Sequence, residues 1–181
     1  MSELIVENGK MTFKEITDFG LILIKANFKD VKIKKALKAL SLKFPVKGKI
    51  YISKNLSGAW MAPDEMALMT PYKSANIQTE KIKRNLKGIA SLCANMSDSR
   101  RSFVLSGKGW RDVLATGTPI DLSAETFSLG DFRRTRIGGL AVAIWMVDDF
   151  VVQIMCMTSV GDFFESWLRN AVSHVDTQKY F

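Results

Sequence analysis

The feature that most constrains this chain lies in its last third. Two apolar runs, residues 140–147 and 150–157, flank the dipeptide Asp148-Asp149. Runs of that length, rich in β-branched and aromatic residues and split by two turn-forming residues, predict an antiparallel hairpin. Just upstream, residues 131–137 alternate basic residues with others, the pattern of a strand with one wet face. A sheet built this way has an apolar face that another layer must cover.

Helical patterns elsewhere supply that layer. Residues 19–28 (FGLILIKANF) read as a strand, and Asp30 stands where it can cap a helix over 31–42. Ile33, Leu37 and Leu40 recur there at i, i+4 and i+7, one stripe facing a core, while lysines fill the opposite side. Residues 49–53, 59–61 and 66–70 read as short strands, the last two bent apart at Pro63 and Asp64-Glu65. A second helix is predicted over about 79–94, with Ile82, Leu86, Ile89 and Cys93 on its stripe and Cys93 a small buried filler. Residues 101–106 form a strand, and 109–116 a short helix turning Trp110, Val113 and Leu114 inward. A last helix starts near Ser159, with Ser159 and Asp162 as a capping-box-like pair. Its apolar face carries Phe163, Phe164, Trp167, Leu168 and Ala171. Strands and helices interleave and at least one hairpin is antiparallel, so the expected class is α+β, antiparallel sheets with helices packed on one face. With no linker or internal repeat, one unit of two sub-lobes is expected, about 1–95 and 96–181.

The chemistry-bearing residues are sparse. The two cysteines, Cys93 and Cys156, stand 63 positions apart with no CxxC, which excludes a zinc ribbon or a thioredoxin-like dithiol. The single histidine, His174, excludes a His-rich metal site, and its place near a helix end suits the helix dipole. Ser106-Gly107-Lys108-Gly109 leads from a strand into a helix, a setting that can hold an anion, but neither phosphate-loop pattern is present and a plain turn explains it. Asp64-Glu65 and Asp148-Asp149 are sequence neighbours, which on a strand point to opposite faces and make poor acid–base couples. No catalytic, cofactor-binding or metal-binding residue is assigned on these grounds. Arg133, Arg134 and Arg136 project from one strand and are the candidate partner interface, since arginine is enriched where proteins meet.

Charge is uneven. The chain has 26 Lys+Arg against 18 Asp+Glu, a net +8, of which residues 1–54 supply twelve lysines against five acids. A basic helix can track phosphates, which makes a nucleic-acid-binding protein one alternative. The stretch has no arginine and no interleaved aromatics, so a solvated helix face explains it and no nucleic-acid partner is expected. The longest apolar run, residues 138–147, has ten residues, where a membrane helix needs about 20. With no signal-peptide pattern and few cysteines, a cytoplasmic protein is expected, with no membrane partner.

A series of segments then resembles one family. Trp60-Met61-Ala62-Pro63-Asp64-Glu65-Met66-Ala67-Leu68 is similar to the W-x-x-P-D-E-W-L-L segment of the gamma subunit of heterotetrameric sarcosine oxidase, with Met66 in place of the commoner Trp. Ser97-Asp98-Ser99-Arg100 resembles its S-D-x-R, and Phe103 to Gly107 its strand ending in S-G. Asp112-Val113-Leu114 with Pro119, Asp121 and Leu122 resembles its D-V-L…P-x-D-L segment. Phe127, Gly130 and Thr135 fit its F-x-x-G-x-x-x-x-T, and Ser159 with Trp167-Leu168 its closing helix. The likeness runs in order over roughly residues 57–171.

The resemblance implies the fold of the folate-binding aminomethyltransferase domains, with ferredoxin-like halves. It implies a non-catalytic gamma subunit in a complex with alpha, beta and delta subunits that oxidises sarcosine to glycine. Such a complex delivers the methyl carbon as formaldehyde or to tetrahydrofolate and makes hydrogen peroxide. FAD, FMN, NAD and tetrahydrofolate are then expected in the partner subunits. A stand-alone folate-binding module is the other alternative.

Overall fold

The hairpin predicted from the last third forms, one residue displaced. In the computed structural model, which describes residues 2–7, 11–53 and 55–174, strand β10 spans Leu140–Asp148 and β11 spans Val151–Met157. The turn therefore falls on Asp149-Phe150, because the register shifts between Met146 and Asp148 and draws Asp148 into the strand. On its other side β10 pairs with β9, Phe132–Ile137. The connecting Gly138 and Gly139 have φ of +57° and +82°, the left-handed pair a two-residue hairpin turn requires.

Outward from β11 come β8, Arg100–Ser106, then β2, Thr12–Ile16, then β1, Ser2–Glu7. The result is a six-stranded, fully antiparallel sheet ordered β1-β2-β8-β11-β10-β9. One face is covered by α3, Trp110–Ala115, and α4, Gly161–Ser173. Phe13, Phe103, Leu105, Ile144 and Ile154 meet Trp110, Leu114, Phe164 and Leu168 there, all at 1% exposure or less. Each such side chain contributes about 2 kcal/mol on burial. This unit comprises residues 1–17 and 98–181.

The second unit, residues 18–97, holds a five-stranded antiparallel sheet ordered β4-β5-β6-β3-β7. Its strands are β3, Gly20–Ala26; β4, Ile50–Tyr51; β5, Ser57–Ala62; β6, Glu65–Thr70; and β7, Ser91–Asn95. Helices α1, Val31–Ala39, and α2, Tyr72–Asn85, share a core with the sheet. Asp30 caps α1 by accepting from the Lys32 N–H at 2.8 Å, and Ile33 and Leu37 are buried as the stripe requires. Lys32, Lys34, Lys35 and Lys38 are exposed on its opposite side.

The two units are not the sequential lobes 1–95 and 96–181. The first seventeen residues belong with the C-terminal part, because Phe13 on β2 pairs with Leu105 on the neighbouring β8 and both are buried in one core. Three local readings are also corrected. The second helix covers 72–85, not 79–94: the chain passes through Gly88 at φ +78° and re-enters the sheet as β7, so Cys93 lies on a strand. The Ser159/Asp162 capping pair does not form. Val160 occupies the cap position, without a side-chain bond, and Asp162 turns to Arg101 instead. Phe163 is 59% exposed rather than inward.

Candidate interface

The three arginines on β9 have different fates. β9 is an outer strand, and side-chain alternation puts Arg134 and Arg136 on one face and Arg133 on the other. The Arg133 guanidinium is tied into its own neighbourhood. It donates to the Thr126 and Phe132 carbonyls at 3.2 and 3.3 Å, lies 3.5 Å from the Asp131 carboxylate, and rests 5.9 Å from the Phe127 ring. Asp131 is itself buried and accepts from the Ser128 N–H and hydroxyl at 2.9 and 3.1 Å. Arg134 and Arg136 are exposed, and Arg136 donates to the Gly139 carbonyl at 3.1 Å. Their cross-strand neighbours are Ala143 and Ala141, short residues that leave room for the long stems. The pair is an exposed cationic row on an outer strand.

A second arginine cluster escaped the sequence reading. Arg101 on β8 donates to Glu15 on β2 from Nε at 2.6 Å and from Nη2 at 2.8 Å. It also reaches Asp162 and Glu165 on α4 at 2.6 and 2.9 Å. Three carboxylates around one guanidinium raise its pKa, the Glu15 bonds contributing most. The cluster fastens α4 to the sheet, with four of the five guanidinium N–H groups directed at carboxylates. Arg111 staples the 122–127 loop through the carbonyls of Leu122 and Phe127, its guanidinium 4.4 Å from the Trp110 ring. Burial lowers its pKa. Nothing in the local sequence signals either role, since the partners are distant along the chain.

The remaining candidates have structural duties. Burial pushes the thiols of Cys93 and Cys156 up to about 11, and both are free and buried. The Gly107 N–H donates to the Phe150 carbonyl at 2.8 Å, so the 106–109 turn spends a donor on the hairpin. The Asp149 carbonyl accepts from Trp110 Nε1 at 3.1 Å, and the Asp148 carboxylate from the Asp149 N–H at 2.6 Å. Asp64 lies 3.5 Å from Lys25 Nζ. His174 sits at the mouth of a groove of about 330 Å³ between α3 and α4, with Asp112, Thr116, Trp167 and Asn170. Its Nδ1 is 2.8 Å from the Asn170 carbonyl, a helix-end contact. Among the described residues no three His, Cys, Asp or Glu side chains gather as metal ligands, and no helix is long and apolar enough to cross a membrane.

Two antiparallel sheets with helices packed on one face place the chain in the α+β class shared by a glycine cleavage system aminomethyltransferase T from Bartonella henselae. That structure superposes with a TM-score of 0.61 at 14% identity over 85% of this chain and 44% of the other. A chain of the heterotetrameric sarcosine oxidase from Corynebacterium sp. U-96 superposes with a TM-score of 0.87 at 17% identity, over 98% of this chain and 91% of that one. No curated protein matches in sequence. The family model for the sarcosine oxidase, gamma subunit family matches residues 28–174. The chain belongs to that family.

Proposed function

We propose that the chain works as the gamma subunit of a heterotetrameric complex that oxidatively demethylates sarcosine to glycine. The observation that carries the reading is the family match over residues 28–174, joined to a fold shared along 98% of the chain with a component of such an oxidase. The flavins, NAD and tetrahydrofolate reside in the alpha and beta partners. This chain contributes rigid surface. Arg101 with its carboxylates and Arg111 are engaged in holding sheet, helix and loop together. Arg134 and Arg136 supply one contact to a carboxylate-bearing partner surface.

Co-expression with alpha-, beta- and delta-type subunits tests the reading. A single species on size exclusion, with sarcosine-dependent peroxide release that falls when this chain is omitted, is the expected result. A chain that elutes apart from those subunits overturns it, and so does turnover of sarcosine by the isolated chain.

A further inference from the structure

Four strands end the ladders of the two sheets: β1 and β9 in one, β4 and β7 in the other. Exposed edges invite another strand, and natural proteins blunt them by brevity, charge, proline or a bulge. β4 is two residues long. β9 carries three arginines. β1 carries Glu3 and Glu7 and shifts register between Leu4 and Val6. β7 has none of these devices. Its five residues, Ser-Leu-Cys-Ala-Asn, are uncharged, lack proline and pair with β3 in unbroken register.

The direction of its backbone groups follows from one bond. The Met96 N–H donates to the Leu21 carbonyl at 2.8 Å, which fixes that position as hydrogen-bonded to β3. Counting back by two, Ala94 and Leu92 use the inner positions opposite Leu23 and Lys25. The N–H and C=O groups of Ser91, Cys93 and Asn95 then face outward. Leu92 adds an apolar side chain that is 55% exposed. The edge is backed by α2: Cys93 Sγ lies 3.9 Å from the Thr79 carbonyl, exposed Lys83, which also pairs with Glu80 at 2.9 Å, stands one turn on, and exposed Lys87 lies just beyond the helix end.

Charge selects the occupant. Residues 18–97 carry fifteen Lys+Arg against five Asp+Glu, a net +10. A second copy paired at β7 would set two such units side by side, which repel. An acidic strand is attracted. We propose that β7 is the docking strand for an extended, carboxylate-bearing segment of a partner subunit. That segment adds a sixth strand to this sheet through Ser91, Cys93 and Asn95, seats an apolar residue against Leu92 and turns acids toward Lys83 and Lys87. The inference rests on the subunit role proposed above.

Amide hydrogen exchange of the full chain, alone and assembled with co-expressed alpha-, beta- and delta-type subunits, tests it. The amides of Ser91, Cys93 and Asn95 are expected to exchange at least tenfold more slowly in the complex, while those of Leu92 and Ala94 are slow in both. Ser91→Pro removes an outward donor without touching the β3 ladder. It should weaken assembly tenfold or more while the chain keeps its circular dichroism. An assembled complex with unchanged exchange at the three amides overturns the docking strand and leaves the subunit role standing. Failure of any complex to form overturns both. Protection that rises with the concentration of the chain alone, or that appears only with duplex DNA, also overturns the docking strand.

Discussion

Arg101 grips Glu15 with two nearly parallel hydrogen bonds, 2.6 and 2.8 Å, between residues 86 positions apart. The pair joins β2 to β8, and the same guanidinium carries on to Asp162 and Glu165, so one side chain ties β2, β8 and the last helix together. The Arg101 side chain is 18% exposed and Glu15 and Glu165 are similarly shielded, while Asp162 is fully exposed.

Removing that guanidinium leaves Glu15 as a partly buried, uncompensated charge and Glu165 with only the half-exposed Arg169 as partner. Arg101→Met is expected to destabilise the chain by about 3 kcal/mol. Arg101→Lys should recover only part, since an ammonium cannot form the two-pronged bond. Urea unfolding curves of the three proteins check this; equal midpoints would refute it.

Trp167 lies in a slot between two glycines. A methyl group at Gly117 would collide with Cζ2 of its indole, and one at Gly138 would stand 2.9 Å from Cδ1. Gly117→Ala is therefore expected to cost about 2 kcal/mol through overpacking. The double variant with Trp167→Leu should lose less than the sum of the single changes. A double-mutant cycle from thermal melts measures the coupling, and strict additivity would show that the ring and the glycine do not interact.

The two thiols are pushed from 9.0 to about 11 by burial, so folding favours their protonated form. The unfolded chain releases these protons at lower pH and binds fewer of them between 9 and 11. The stabilising contribution is thus full below about pH 9 and is lost as pH rises through 11. At pH 8 the native chain should react with a thiol-specific disulfide reagent at least a hundredfold more slowly than the urea-unfolded chain. Equal rates would contradict the burial argument.

Arg134→Glu combined with Arg136→Glu reverses an exposed cationic row without touching a core residue. Assembly with the partner subunits is expected to weaken tenfold or more, with a steeper loss at low salt, while the melting temperature moves by no more than about 2 °C. Arg133→Glu instead disturbs the Thr126 and Asp131 contacts and should lower stability first. Undiminished assembly of the double variant would remove β9 from the interface.

Much of this architecture is legible residue by residue. Alternation and apolar runs mark β9, β10 and β11, and the Asp30 cap with Ile33 and Leu37 marks α1. The segment around Pro63-Asp64-Glu65 and the ordered motifs beyond it point to the family that residues 28–174 match. The helix reading over 79–94 misled because Leu86, Ile89 and Cys93 mimic a stripe at helical spacing. A bend at Gly88 places Leu86 at the end of α2 and Cys93 on β7, and both reach one core.

The sequence alone determined β3, β5, β6, β8 to β11, α1, α3 and α4, because such patterns depend on neighbours a few residues away; it did not reveal β1, β2 or β7. Tertiary structure decided that β2 lies beside β8, that Arg101 meets Glu15, and that Arg133 is tied down while Arg134 and Arg136 face outward. Such pairings require closing loops of tens of residues. Their choice depends on how whole apolar surfaces fit together, which no local window of the chain encodes.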